Sequence, residues 1–173
     1  MHLKKRGIDV RIDETAQITR PELVEIGNHV AIDMCTYIST AAIIEDYIHI
    51  APQVCVIGGA KALLVMRHFS ALATGTRVVC AGDDFRKGFL NPFIPLEYRH
   101  VINKPVILER YASTGVNASI MPGVIMAEGS VVGANSVLTK STEPWMIYAG
   151  VPAKIVGERS SELILRGAKD LGY

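Results

Sequence analysis

The chain has 173 residues, the length of a single ordinary domain. Its 18 Lys and Arg against 17 Asp and Glu leave a net charge of +1, which argues against a nucleic-acid binder working by broad phosphate neutralisation and against a basic membrane-surface protein. No run of about 18 apolar residues exists to span a membrane, and the opening MHLKKRGIDVRIDE has no apolar stretch of the signal-peptide kind, so a cytoplasmic protein without membrane insertion is expected.

Composition points to strands. The chain holds 19 Ile and 17 Val against 12 Leu, with aromatics at 6% and 15 Gly. Three cysteines, Cys35, Cys55 and Cys80, make neither a disulfide framework nor a CxxC metal pair.

In chain order, residues 8–24 carry a weak repeat (Ile12, Ile18, Val24) broken by Pro21, expected as an irregular first coil that caps the later ones. From Ile26 every sixth residue is aliphatic: Ile26, Ile32, Ile38, Ile44, Ile50, Val56. Four places after each stand Val30, Thr36, Ala42, Ile48, Val54 and Ala60, mostly small or β-branched. The phase then slips by four residues around Gly58–Lys61 and resumes as Met66, Leu72, Val78. A segment of about 80–106 breaks it again, with three prolines, four aromatics, Asp83, Asp84, Asn91 and His100. The repeat restarts as Leu108, Thr114, Ile120, Met126, Val132, Leu138, with Thr114 the one departure.

A six-residue period is neither a helix nor a plain strand alternation; it suits a short strand and a corner, repeated, with the large aliphatic inside. One such coil cannot bury its own apolar face, so coils must stack: a parallel β-helix. An ordinary sandwich would show longer spacings. The long excursion reads as a functional loop. Pro144 and Pro152 stop the repeat, and the cap at about 144–173 is expected to contain a helix over 160–169, N-capped by Ser160 or Ser161 and anchored by Leu163, Ile164 and Leu165. The whole of 1–173 is expected to be one domain.

Three stretches carry a family resemblance: Gly115–Gly123 (GVNASIMPG), Gly133–Val137 (GANSV) and Tyr148–Lys154 (YAGVPAK). Together with the hexapeptides they resemble the left-handed β-helix, or hexapeptide-repeat, acyltransferases. The loop, with Gly82–Phe85, Asn91–Pro92 and Pro95–Tyr98, is similar to a subgroup of sugar acetyltransferases from surface-polysaccharide biosynthesis. The resemblance implies a left-handed all-β helix, a homotrimer, and acetyl transfer from acetyl-CoA to a hydroxyl or amine of a sugar or nucleotide sugar, with no metal. Outward, apolar Met34, Cys35 and Tyr37 fit a face buried between copies. In one respect the chain departs: where the subgroup often has a His in the coil after the loop, this sequence has Tyr111.

Acyl transfer needs a base for the acceptor's proton, donors for the oxyanion and a donor held beside the acceptor. Imidazole suits the first near neutral pH. His49, in Tyr47–Pro52, is the first choice of catalytic residue, oriented by Glu45 or Asp46, and His100 the second. Asp83, Asp84 and Asn91 are candidates for holding sugar hydroxyls; capping a turn and opening an Asn–Pro bend would explain them equally. Gly115, Gly133, Ala134, Ala149 and Gly150 would admit the pantetheine arm, and Lys140, Lys154 and Arg159 would meet its phosphates. Two other readings compete. A carbonic-anhydrase-like zinc site would use His49 and His68, 19 residues apart, but lacks a third His at a matching corner. A non-catalytic scaffold leaves the loop and the YAGVPAK ending unexplained.

Overall fold

A computed structural model describes residues 2–173. The six-residue period becomes a three-sided parallel β-helix. Its first and third faces hold six strands each, and the second face holds eight. Val24–Ile26, Val30–Ile32 and Tyr37–Ile38 form the three sides of one coil. Each pairs with the residue eighteen places on: Val24 with Ala42, Val30 with Ile48, Ile38 with Val56. Parallel neighbours thus exchange backbone hydrogen bonds while identical positions stack.

The stack buries the periodic residues. Ile26, Ile32, Ile38, Ile44, Ile50 and Val56 are all at most 2% exposed, and so are Met66, Leu72, Val78, Leu108, Ile120, Met126, Val132 and Leu138. Fourth-place residues from Val30 to Val54 are buried at the corners, whereas Ala60 is exposed because the register slips there. Thr114, the departure, is buried too. Its Oγ1 accepts the Ala73 N–H at 3.0 Å and lies 2.9 Å from the Thr76 hydroxyl, so two inward polar groups satisfy each other and a corner amide.

The insertions fall at one corner, between the third and first faces. Ile18 pairs with Ile38 twenty residues on, but Ile26 with Ile44 only eighteen on, so two residues are extra between them. Ile44 to Met66 spans twenty-two residues, and Met66 to Leu108 forty-two. The last of these excursions is not a loose loop: Ala81–Gly88 and Arg99–Asn103 pair as an antiparallel hairpin. The first coil is also more regular than expected, with all three of its sides paired.

The corner between first and second faces is the opposite. His29, Tyr47, Phe69 and Tyr111 occupy it in successive coils, and Trp145 occupies it two coils further on, after Gly129, all five with left-handed φ between 54° and 64°. Their rings stack at centroid distances of 4.6, 5.1, 5.6 and 5.9 Å. Such pairs contribute about 0.5–1.5 kcal/mol each beyond area burial. Tyr111 is 5% exposed within this column. Gly129 makes room for it: a Cβ there would sit 2.3 Å from the Trp145 ring.

The C-terminal cap differs from expectation. Pro144 ends the first-face repeat, but Met146–Gly150 still joins the second face, and after Pro152 the strand Ala153–Glu158 folds back antiparallel on it. Helix α1 runs Glu162–Asp170, preceded by Ser161, whose side chain makes no capping hydrogen bond. Leu163 and Leu165 point to solvent rather than anchoring it; the inward side is Ile164, Gly167 and buried Ala168.

Candidate functional site

The second face carries the most chemistry. Its outward positions, in register, are Arg11, Ala31, His49, Ala71, Ser113 and Val131. The imidazole of His49 therefore stands between two alanines, which leave space on either side of it. An open groove of about 940 Å³ lies at the N-terminal end of this face, lined by Arg6, Arg11, His29, Asp33, Tyr47 and His49 among others.

Asp33 Oδ2 lies 2.7 Å from His49 Nε2, which leaves Nδ1 free. The carboxylate that orients His49 is thus Asp33, not Glu45 or Asp46. Those two precede the corner and face another imidazole: the Asp46 N–H donates to His68 Nδ1 at 3.1 Å, and Glu45 Oε2 lies 3.3 Å from His68 Nε2. With both ring nitrogens engaged, His68 is a structural residue. A second pair, His29 Nδ1 with Asp9 Oδ2 at 3.0 Å, borders the same groove. Asp13 at its rim accepts hydrogen bonds from the Thr15 hydroxyl and amide, which hold its carboxyl below the usual value. Arg11 makes no ion pair among the described residues.

The hairpin residues sit apart from His49, because the hairpin leaves the coil at the third–first corner. Asp83 receives a bidentate pair from Arg99, at 2.9 and 3.1 Å from Nη2. Asp84 accepts the amide and guanidinium of Arg86, whose side-chain hydrogen bond is the main cause of its lowered pKa. Asn91 Oδ1 accepts the Phe93 N–H at 2.9 Å, a turn contact. His100 is exposed. Phe85 and Phe93, 87% and 93% exposed, leave the hairpin markedly apolar. The single chain does not bring His49 together with His100, Asp83, Asp84 and Asn91.

At the far end, Gly115, Gly133, Ala134 and Ala149 stack at the second–third corner. A Cβ on Gly115 would lie 2.5 Å from the Ala134 nitrogen, and one on Gly133 3.3 Å from the Ala149 Cβ. The Gly150 N–H donates to Ser136 Oγ at 3.0 Å. Lys154, opposite Ala149 in the C-terminal hairpin, and Lys140 are both exposed. Arg159 is not free in this way: Nη1 donates to the Tyr111 and Gly129 carbonyls at 2.7 and 3.0 Å, and burial lowers its pKa.

No family model matches the sequence. It is 29% identical over 168 residues to the dTDP-4-amino-4,6-dideoxy-D-glucose acyltransferase of Escherichia coli, covering 95% of this chain and 86% of that protein. WbbJ of Escherichia coli K12, assigned to lipopolysaccharide-biosynthesis O-acetyl transfer, is 31% identical over 69% of this chain and 58% of its own length. AntD, an N-acyltransferase from Bacillus cereus, superimposes with a TM-score of 0.95 at 32% identity over 99% of this chain and 92% of its own, in a complex with dTDP-4-amino-4,6-dideoxyglucose and coenzyme A. The chain belongs to the hexapeptide-repeat sugar acyltransferases. The fold class and enzyme class expected from the resemblance stand on that membership.

In this acyltransferase a packed Tyr111 stands in the coil after the hairpin, and the imidazoles that line the open groove are His29 and His49. The sequence reading named His49 as a candidate but not its neighbours Asp33, Arg6 and Arg11 or the Asp9–His29 pair. The eighteen-residue register was the available signal. It sets residue 31 beside 49, and so brings Asp33, two places further along, within reach of the His49 side chain. Among the described residues, no three His, Cys, Asp or Glu side chains are grouped to hold a metal ion.

Proposed function

We propose that the protein transfers an acetyl group from acetyl-CoA to the amine of a dTDP-linked 4-amino-4,6-dideoxyhexose. The observation that carries this reading is the near-complete overlay on AntD in its complex with such an amino sugar and coenzyme A. His49 is the base: Asp33 lies against Nε2, so Nδ1 is free to take a proton from the neutral amine as its nitrogen attacks the thioester carbonyl. The C–N bond forms, the C–S bond breaks and the thiolate leaves. Arg6 and Arg11 at the groove face the nucleotide phosphates. Gly115, Gly133, Ala134, Ala149 and Gly150 let the pantetheine arm lie close to the coil, and Lys140 and Lys154 meet the CoA phosphates. Arg159 serves instead as a brace for the corner carbonyls.

A homotrimer completes the site. The apolar hairpin of one copy, with Asp83, Asp84, Asn91 and His100, lies over the second face of the next, and Met34, Cys35 and Tyr37 are covered. The enzyme works in the cytoplasm, on a surface-polysaccharide precursor. Transfer to a sugar hydroxyl is the second reading, favoured by the similarity to WbbJ.

The test is turnover of acetyl-CoA with dTDP-4-amino-4,6-dideoxyglucose and, separately, with its 4-hydroxy counterpart, read by mass spectrometry. One acetyl on the amino sugar and none on the hydroxyl sugar is expected. Acetylation of the hydroxyl sugar alone overturns the amine reading. Light scattering at micromolar concentration should give three chains per particle; a monomer removes the shared site.

A further inference from the structure

Acyl transfer at the groove makes no use of the segment after Arg159, yet that segment reaches back across about three coils. Arg159 is fastened at Tyr111 and Gly129, and Tyr173 ends beside Asp46. The nine residues of α1 extend about 13.5 Å at 1.5 Å per residue, close to the roughly 14 Å of three coils at about 4.8 Å. The helix thus runs down the aromatic corner, with Ile164, Gly167 and Ala168 turned toward it.

At its end the Tyr173 hydroxyl donates to Asp46 Oδ2 at 2.5 Å. The Tyr173 ring meets Tyr47, Phe69 and His68 edge-on, at centroid distances of 5.6, 5.2 and 4.9 Å. Asp46 is in turn tied to Asn28, whose backbone N–H donates to Oδ1 at 2.7 Å. A side chain at position 27 would collide with that carboxylate, since a Cβ on Gly27 would lie 2.2 Å from Oδ1. Tyr47 is pinned on both ring faces, by His29 and Phe69, and its N–H donates to the Asn28 carbonyl at 3.0 Å. The next residues are the strand Ile48–Ile50 that carries His49, and Tyr47, His29 and His49 line one groove.

Tyr173 therefore ties the far end of the chain to this corner by a hydrogen bond and by contacts with three of its rings. A stabilising brace alone would need only the ring contacts. The short bond to a carboxylate that also fixes Asn28 adds an orientational restraint on the backbone just before His49.

We propose that Tyr173 is a positioning residue for acyl transfer, acting through Asp46 and Tyr47 to hold the wall of the groove in which His49 meets the amino sugar. The proposal rests on the groove being the acceptor site. It makes the C-terminal helix a link between the coils that hold the thioester and the coil that holds the acceptor.

The experiment compares wild-type, Tyr173→Phe and Tyr173→Ala full-length chains at a temperature well below every Tm. Tyr173→Phe keeps the rings and removes the hydrogen bond. Its KM for dTDP-4-amino-4,6-dideoxyglucose should rise about three- to tenfold, with kcat within about twofold and the KM for acetyl-CoA unchanged. Tyr173→Ala should rise further. The imidazole NMR signals of His29 and His49 should move in both variants, a readout that does not require turnover. Asp46→Ala, which removes the acceptor of both the Tyr173 hydroxyl and the Asn28 N–H, should raise the same KM at least as far as Tyr173→Phe does. A lowered Tm with imidazole signals and KM unmoved would reduce Tyr173 to a brace and overturn the proposal, as would no change at all. Should His49→Ala leave wild-type turnover intact while the imidazole signals still respond to Tyr173, the acceptor-site reading fails by itself.

Discussion

Two corners of the same coil behave oppositely. At the first–second corner five aromatic or imidazole rings stack, and the chain passes each time with the same left-handed turn. At the third–first corner the chain gains two, four and twenty-four residues in turn, yet the strands on either side resume their register. Backbone hydrogen bonds and inward aliphatics keep the three faces aligned, so an insertion at a corner costs only its own loop closure. The column, in which each ring stacks on the next and Trp145 reaches over Gly129 to Tyr111, allows no such freedom. Variation therefore collects at one corner and constancy at another, with the groove of His49 beside the constant one.

The sharpest test of that contrast is kinetic. His49, next to the column, should lose about 10²–10⁴-fold in kcat when changed to Ala, with the assembly and acetyl-CoA affinity unchanged. His100→Ala, on the hairpin, should change kcat far less. Steady-state rates with the amino sugar decide; a lost rate at His100 with a normal one at His49 would move the base to the variable corner.

Stability should divide the same way. Tyr111→Ala removes a buried ring from the middle of the column and should cost about 3–5 kcal/mol by denaturant unfolding. Phe93→Ala, on the 93% exposed hairpin tip, should stay within about 0.5 kcal/mol for the isolated chain. Equal losses would mean that the hairpin is part of the folding core.

A smaller effect is expected at the thioester end. Lys154→Ala should raise the KM for acetyl-CoA roughly fivefold and leave kcat at saturation nearly unchanged. An unchanged KM would make Lys154 plain surface charge.

The smallest effect is one of pH. The hydrogen bond to Asp46 pushes the Tyr173 phenol up to about 12 from 10.0. A raised folded value stabilises the protonated form, so the contribution is complete below pH 10 and disappears as pH rises toward 12. For Asp46, burial works to raise the pKa, but the hydrogen bonds from Tyr173 and Asn28 outweigh it and hold it below 3.8, so its contribution is lost only as the solution falls through that lowered value. The Tm difference between wild type and Tyr173→Phe should be flat between about pH 4 and 10 and close above it. A difference that persists at pH 12 would show that the phenol proton is not what Asp46 holds.

The coil was legible because its physics is periodic: Ile26 through Val56 repeat every six residues and are buried every six residues. Both phase slips were legible for the same reason. The Asp33–His49 pair was not, since it depends on how two corners sit one coil apart, and neither side chain breaks the period. Nor was the strand Met146–Gly150, because Pro144 ends the first face just before it and conceals that the second continues. Thr114 looked like a defect in the series and is instead half of a buried hydroxyl pair with Thr76.

The first coil has a further consequence. Its strands Lys5–Arg6, Val10–Ile12 and Gln17–Ile18 pair on one side only among the described residues. An open β edge of that kind is a template for uncontrolled growth, and short strands bearing charge are the usual defence. Here the defence includes Arg6 and Arg11, the same guanidiniums that line the groove. The edge and the groove thus share the same two side chains, so a substitution made at either to change ligand preference is expected to change solubility with it.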